Sequence, residues 1–150
     1  MRKRAVAAGL AAVPKDDCVE RRQMAQRKRI LYIDDESDLR WLVKHILESL
    51  GGFDVLVCGS GAEGLRRVRE FAPDLILLDV MMPEMDGFSV LRALRARPEG
   101  AAVPVVFLTA RTPDGDEYRK SGADGMIAKP FDPHGLVERV RAYTGEYARA

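Results

Sequence analysis

The stretch Leu75–Ile76–Leu77–Leu78–Asp79, followed by Val80–Met81–Met82–Pro83–Glu84–Met85–Asp86–Gly87, decides the fold. Four consecutive large apolar residues between Pro73 and a Pro/Gly turn suit a strand buried on both faces, as in a parallel sheet. In open parallel sheets, binding and reacting groups collect just beyond the carboxyl ends of the strands. Asp79 stands at that edge. A lone aspartate there could equally cap the turn, so its meaning depends on what the other strands bring beside it.

Upstream, Arg29–Ile30–Leu31–Tyr32–Ile33 reads as a first strand that stops at the acidic patch Asp34–Asp35–Glu36. Leu39, Leu42, Val43, Ile46, Leu47 and Leu50 then recur at helical spacing until Gly51–Gly52 ends the pattern. His45 lies beside that stripe as a surface or boundary residue. Phe53–Val57 is a second strand, with Cys58 after it as a small buried hydrophobe. Ser60–Gly61–Ala62–Glu63 has capping-box spacing and opens a helix that turns Leu65 and Val68 inward and ends before Pro73.

Downstream, a short helix runs from about Phe88 through Leu91 and Leu94, and Pro104–Thr109 forms a fourth strand with a hydroxyl at its end. Thr112–Pro113–Asp114–Gly115 resists helix, leaving little more than one turn, about Asp116–Lys120, before Gly122. Gly125–Met126–Ile127–Ala128–Lys129 is a fifth strand ending in a cation. Asp132 and Pro133 supply an N-cap and a first-turn proline for a last helix with Leu136, Val137, Val140 and Tyr143 on one side. Five strands alternating with helical segments, with right-handed crossovers, make a doubly wound parallel sheet.

At 150 residues, 47% hydrophobic and 31% charged, the chain holds one sizeable core. Residues 1–29 carry nine Lys and Arg against three Asp and Glu, whereas residues 30–150 carry fifteen against twenty. A mildly acidic domain argues against direct DNA binding, which draws on clustered cations. Cys18 and Cys58 show neither metal-ligand spacing nor a disulfide framework, which fits a reducing cytoplasm. The apolar run Ala5–Val13 is too short to insert in a membrane. Residues 1–23 are expected to be a poorly ordered extension, with a start at Met24 as an alternative, and residues 24–150 to be the domain.

The strand ends would bring Asp34, Asp35, Asp79, Thr109 and Lys129 to one edge. Three neighbouring carboxylates repel one another, so one keeps its proton or a cation sits among them. Oxygen donors without His or Cys favour a hard ion, and Mg²⁺ fits. With the charge neutralised, Asp79 becomes a candidate nucleophile toward a phosphoryl donor.

These motifs resemble the receiver domain of bacterial two-component response regulators over about residues 27–144. The resemblance rests on Ile33–Asp34–Asp35–Glu36, Leu78–Asp79 through Gly87, Leu108–Thr109–Ala110 and Ala128–Lys129–Pro130–Phe131. It implies a flavodoxin-like fold with strand order 2-1-3-4-5 and a phosphorylation-activated switch. It also implies site roles: Asp79 as phosphoacceptor, Asp35, Asp79 and the Met81 carbonyl as Mg²⁺ ligands, Asp34 as a partner through water, and Thr109 and Lys129 as groups that sense the phosphoryl. The Lys129–Pro130 bond is expected to be cis. The implied partners are a sensor histidine kinase or histidine phosphotransfer protein and a downstream protein target, with the domain acting as a stand-alone cytoplasmic receiver.

Two features depart from the family. Met126 stands where an aromatic switch residue is usual, and the segment from Thr109 to Lys129 is about two residues shorter than usual. A phosphorylation-independent interaction module is therefore the main alternative. An aspartyl-nucleophile phosphatase usually has a second acid two residues after the nucleophile, and that position is Met81. A flavin carrier would need a glycine- and hydroxyl-rich loop where Asp34–Asp35–Glu36 stands. Trp41, with Arg40 and Lys44, is a candidate kinase-docking patch near the acidic pair.

Overall fold

A computed structural model describes residues 27–110 and 114–145. The expected extension 1–23, the alternative start at Met24 and the first half, Thr112–Pro113, of the stretch expected to resist helix lie outside the described residues. Strands β1 (Arg29–Ile33), β2 (Asp54–Cys58), β3 (Leu75–Leu78), β4 (Val105–Thr109) and β5 (Gly125–Ala128) alternate with helices α1 (Ser37–Ser49), α2 (Gly61–Phe71), α3 (Gly87–Arg95), α4 (Gly115–Ser121) and α5 (Pro133–Thr144). The strands form one parallel sheet in the order β2-β1-β3-β4-β5, the doubly wound, flavodoxin-like arrangement expected.

The two-residue period of each strand divides the core into two layers. Ile30, Tyr32, Leu75, Leu77, Val106 and Leu108 face α1 and α5, where they meet Val43, Leu47, Leu136 and Val140. Leu31, Ile33, Ile76, Leu78, Val105 and Phe107 face α2 and α3, where they meet Leu65, Val68, Val90 and Leu94. All four residues of β3 are fully buried. Each such side chain contributes about 1.5–3 kcal/mol relative to exposure, so the four-residue apolar run is both the fold's signature and a large part of its core.

Local signals mostly act as the sequence implies. The Ser60 hydroxyl accepts from the Glu63 amide at 3.1 Å, while the Glu63 carboxylate accepts from the Gly59 amide at 2.8 Å, one residue earlier than in the usual reciprocal box. Asp132 caps α5 through the Gly135 amide, with Pro133 in the first turn. Gly87 is required sterically: a β-carbon there would lie 2.5 Å from the Asp79 carbonyl oxygen. The glycine lets α3 start hard against the turn that follows β3.

The structure corrects several details. β2 begins at Asp54 and includes Cys58, one residue later than the apolar run suggests, and β5 stops at Ala128. The apolar stripe of α1 is narrower than its spacing implies, because Leu42 and Leu50 are exposed while Val43, Ile46 and Leu47 are buried. α4 is short as expected, seven residues with none buried, but Asp114 and Gly115, expected to resist helix, cap and begin it, because the Asp114 carboxylate accepts from the Glu117 amide.

Candidate functional site

The sheet ladder carries its register one step past the strand ends. The Asp34 amide donates to Cys58, the Asp79 amide to Ile33 and the Lys129 amide to Thr109, all at 3.0–3.1 Å. Backbone pairing therefore fixes where these side chains start. Carboxylate oxygens of Asp34, Asp35 and Asp79 come within 4.8 Å of one another. Asp34 and Asp79 are buried and Asp35 is exposed at the mouth, so a shielded pair of acids opens to solvent through the third.

Asp34 is the most heavily held. Its Oδ2 accepts from Lys129 Nζ at 2.7 Å and from the Tyr32 hydroxyl at 2.5 Å, and its Oδ1 accepts from the Glu36 amide at 2.9 Å. Arg40 donates to the Asp34 carbonyl at 2.8 Å. Asp79 is held more lightly, by the Thr109 hydroxyl, by the Met81 amide at a long 3.4 Å and by the Lys129 charge at 3.7 Å.

Burial pushes the Asp79 carboxyl above the ordinary aspartate value, the Asp34 charge pushes it the same way, and Lys129, Thr109 and the Met81 amide only partly oppose them. A buried acid short of compensating charge is the chemistry that a divalent cation relieves. The donor set is all oxygen, so it fits a hard ion such as Mg²⁺ and not a thiophilic metal. Met81 itself is 60% exposed, beside the mouth of the site.

The five predicted side chains, Asp34, Asp35, Asp79, Thr109 and Lys129, thus gather at one sheet edge, and the Lys129–Pro130 bond is cis as expected. A family model described as the response regulator receiver domain matches residues 30–141. The chain belongs to the receiver family. Receiver domains are the switch modules of two-component signalling, and membership supports a phosphorylation-activated signalling switch while giving nothing for the phosphorylation-independent alternative.

Among curated receiver proteins, the DNA-binding response regulator MtrA of Mycolicibacterium paratuberculosis is 48% identical over 118 residues, covering 77% of this chain and 51% of that protein. Response regulator Rre1 of Synechocystis is 38% identical over 120 residues, covering 79% of this chain and 52% of that protein. The chain spans about half the length of these receiver-containing relatives. Among solved receivers, chemotaxis protein CheY4 of Vibrio cholerae superposes with a TM-score of 0.74 at 30% identity, covering 78% of this chain and 98% of that one. The receiver of a Pseudomonas aeruginosa sensor histidine kinase, whose structure has a magnesium ion coordinated in the active-site cleft, superposes with a TM-score of 0.72 at 30% identity. That match covers 79% of this chain and 98% of that one.

Around this receiver site the structure adds residues that the sequence reading passed over. Tyr32 was legible in principle: two residues before Asp34 on one strand, its hydroxyl is bound to share that side chain's face. Arg40, which the sequence offers only to a docking patch, ties α1 to the end of β1. Lys44 turns away from the site to bond the Val55 carbonyl and Glu48. Trp41 is 67% exposed and stacks on His45 with ring centroids 5.4 Å apart. Met126 packs in the layer that holds Phe107, Phe88 and Tyr118, and supplies no ring of its own to a Thr109-linked switch. No helix among the described residues is long and apolar enough to cross a membrane.

Proposed function

We propose that the chain accepts a phosphoryl group on Asp79 in a Mg²⁺-dependent reaction and passes the resulting state on by protein contacts or by phosphorelay. The observation that carries this reading is the meeting of three carboxylates within 4.8 Å, with the Thr109 hydroxyl bonded to Asp79 and the Lys129 amine, bonded to Asp34, 3.7 Å from it. An Asp79 oxygen forms the new bond to phosphorus while the phosphorus–nitrogen bond of a phosphohistidine donor breaks, and the departing imidazole takes up a proton. Bound Mg²⁺, held by Asp35, Asp79 and the Met81 carbonyl with Asp34 through water, would neutralise the approaching anion. Thr109 and Lys129 supply the remaining donors to phosphoryl oxygens, so positioning and charge do most of the catalysis.

The phosphodonor is a sensor histidine kinase or a histidine phosphotransfer protein, and the setting is the cytoplasm. An apolar cleft of about 310 Å³, lined by Leu39, Leu42, Ala110, Lys129, Pro130 and Phe131, opens beside the site. It gives exposed Leu42 a role and, with Trp41 one residue away on α1, offers an apolar surface to such a partner. The excess of acids in residues 30–150 argues against direct DNA binding by the domain.

The test is incubation with Mg²⁺ and acetyl phosphate, followed by intact-mass measurement. Wild type should gain one phosphoryl group that is absent in Asp79→Asn and absent with a chelator. Equal labelling of Asp79→Asn, or no labelling of wild type, would remove the proposal.

A further inference from the structure

Asp34 has no exposed surface, and one of its oxygens is shared by two donors from different parts of the chain. Lys129 follows directly on β5 and carries its amine on a flexible four-carbon stem, close to both Asp34 and Asp79. Tyr32 is fully buried in the middle of β1, packed into the layer that contains Val43, Leu47, Leu108 and Val140, and cannot move without disturbing that core. One donor sits on a flexible side chain and one is held within the core, both on the same oxygen.

We propose that the Tyr32 hydroxyl is a positioning group that holds Asp34 Oδ2 when Lys129 leaves it for a phosphoryl group on Asp79. This rests on the phosphoacceptor reading of Asp79. Lys129 Nζ lies 2.7 Å from Asp34 and 3.7 Å from Asp79 in the present arrangement, so any shift of the amine toward a phosphoryl oxygen on Asp79 comes at the expense of its bond to Asp34. Without Tyr32 the shift would leave a buried carboxylate oxygen with no protein donor, a loss that opposes the active state. With Tyr32 in place the oxygen keeps one charge-assisted bond in both states. The tyrosine touches neither phosphorus donor nor Asp79. It acts through Asp34 by making the lysine free to go.

The experiment compares wild type with Tyr32→Phe, which keeps the ring in its core position and removes only the hydroxyl. Melting temperature, Mg²⁺ affinity by calorimetry, and beryllofluoride affinity at saturating Mg²⁺ are measured on both, with the Lys129 side-chain ¹⁵N resonance followed through the beryllofluoride titration. Tyr32→Phe should stay folded and bind Mg²⁺ within about threefold of wild type, since Lys129 still serves Asp34 before the analogue binds. Beryllofluoride should bind about ten- to a hundredfold more weakly, the span of one bond to a charged group, and the Lys129 resonance should move only at correspondingly higher analogue concentration. A purely structural tyrosine would lower the melting temperature and leave the analogue affinity and the lysine signal as in wild type, which overturns the proposal. An equal loss of Mg²⁺ and beryllofluoride affinity overturns it too, because Asp34 would then be mispositioned in both states. Failure of wild type itself to bind beryllofluoride removes the phosphoacceptor reading and this proposal with it.

Discussion

Lys129 gives its short ionic bond, 2.7 Å, to Asp34, which lies 95 residues away in the chain, and stands a full ångström farther from Asp79. The cation therefore compensates the acid that carries the stronger hydrogen-bond network and leaves the candidate phosphoacceptor the less well compensated of the two. Geometry of this kind leaves Asp79 responsive to whatever charge arrives next.

The first consequence is a pH-dependent cost of the Asp79 charge. Its carboxyl titrates above the ordinary value when folded, chiefly through burial, so its contribution to stability is fullest below about pH 4 and is lost as the pH rises through the raised folded value. Asparagine has no such loss. In the presence of a chelator, Asp79→Asn should melt a few degrees above wild type at pH 7, and the two curves should converge near pH 4. Thermal unfolding followed by circular dichroism across that range checks the sign, and a wild type that is the more stable of the two at neutral pH contradicts it.

Trp41 is exposed and packs mainly on His45, so Trp41→Ala should change stability by no more than about 0.5 kcal/mol. If the face beside the apolar cleft receives the kinase, the same substitution should abolish phosphotransfer from a cognate kinase while labelling by acetyl phosphate continues at the wild-type rate. Parallel loss of both activities would place the defect in the site and not in docking.

Cys58 closes β2 with almost no exposed surface, and burial first, then the nearby Glu63 charge, push its thiol up to about 11. The thiolate is the reactive form. Native protein treated with iodoacetamide at pH 8 should show Cys58 unmodified by peptide mapping, with modification appearing only in denaturant. Labelling of Cys58 in the native state at the rate of a free thiol is the contrary result.

Ala72 ends α2 in the left-handed region, at φ 52°, while its amide still bonds the Val68 carbonyl. A β-carbon there costs roughly 1–2 kcal/mol, partly offset by the extra chain entropy that glycine loses on folding. Ala72→Gly should therefore gain about 0.5–1 kcal/mol and raise Tm by about 2–4 °C. A lower Tm would mean that the left-handed cap is not strained.

The layers of the fold were legible because the signals that specify them are local. An all-apolar four-residue strand, a capping serine at Ser60 and the Asp132–Pro133 helix start each act within a few residues of themselves. Strand order and the gathering of Asp34, Asp35, Asp79, Thr109 and Lys129 followed once the motifs were taken together. The misjudged details were those in which a residue's neighbours come from elsewhere in the chain. Leu42 sits on the helical stripe by spacing, yet it borders an open cleft with Phe131. Lys44 sits near the acidic pair in sequence, yet it bonds β2.

By itself the sequence determined which segments form strands, with their ends to within a residue, and that three acids, a hydroxyl and an amine would lie at those ends, because periodicity and turn chemistry are properties of short segments. Only the tertiary structure decided how the charges are shared. Lys129 serves Asp34 before Asp79, Tyr32 takes the same carboxylate oxygen from inside the core, and Gly87 lets α3 close on the Asp79 turn. Those choices turn on distances of an ångström between segments far apart in sequence, which packing sets and spacing along the chain does not.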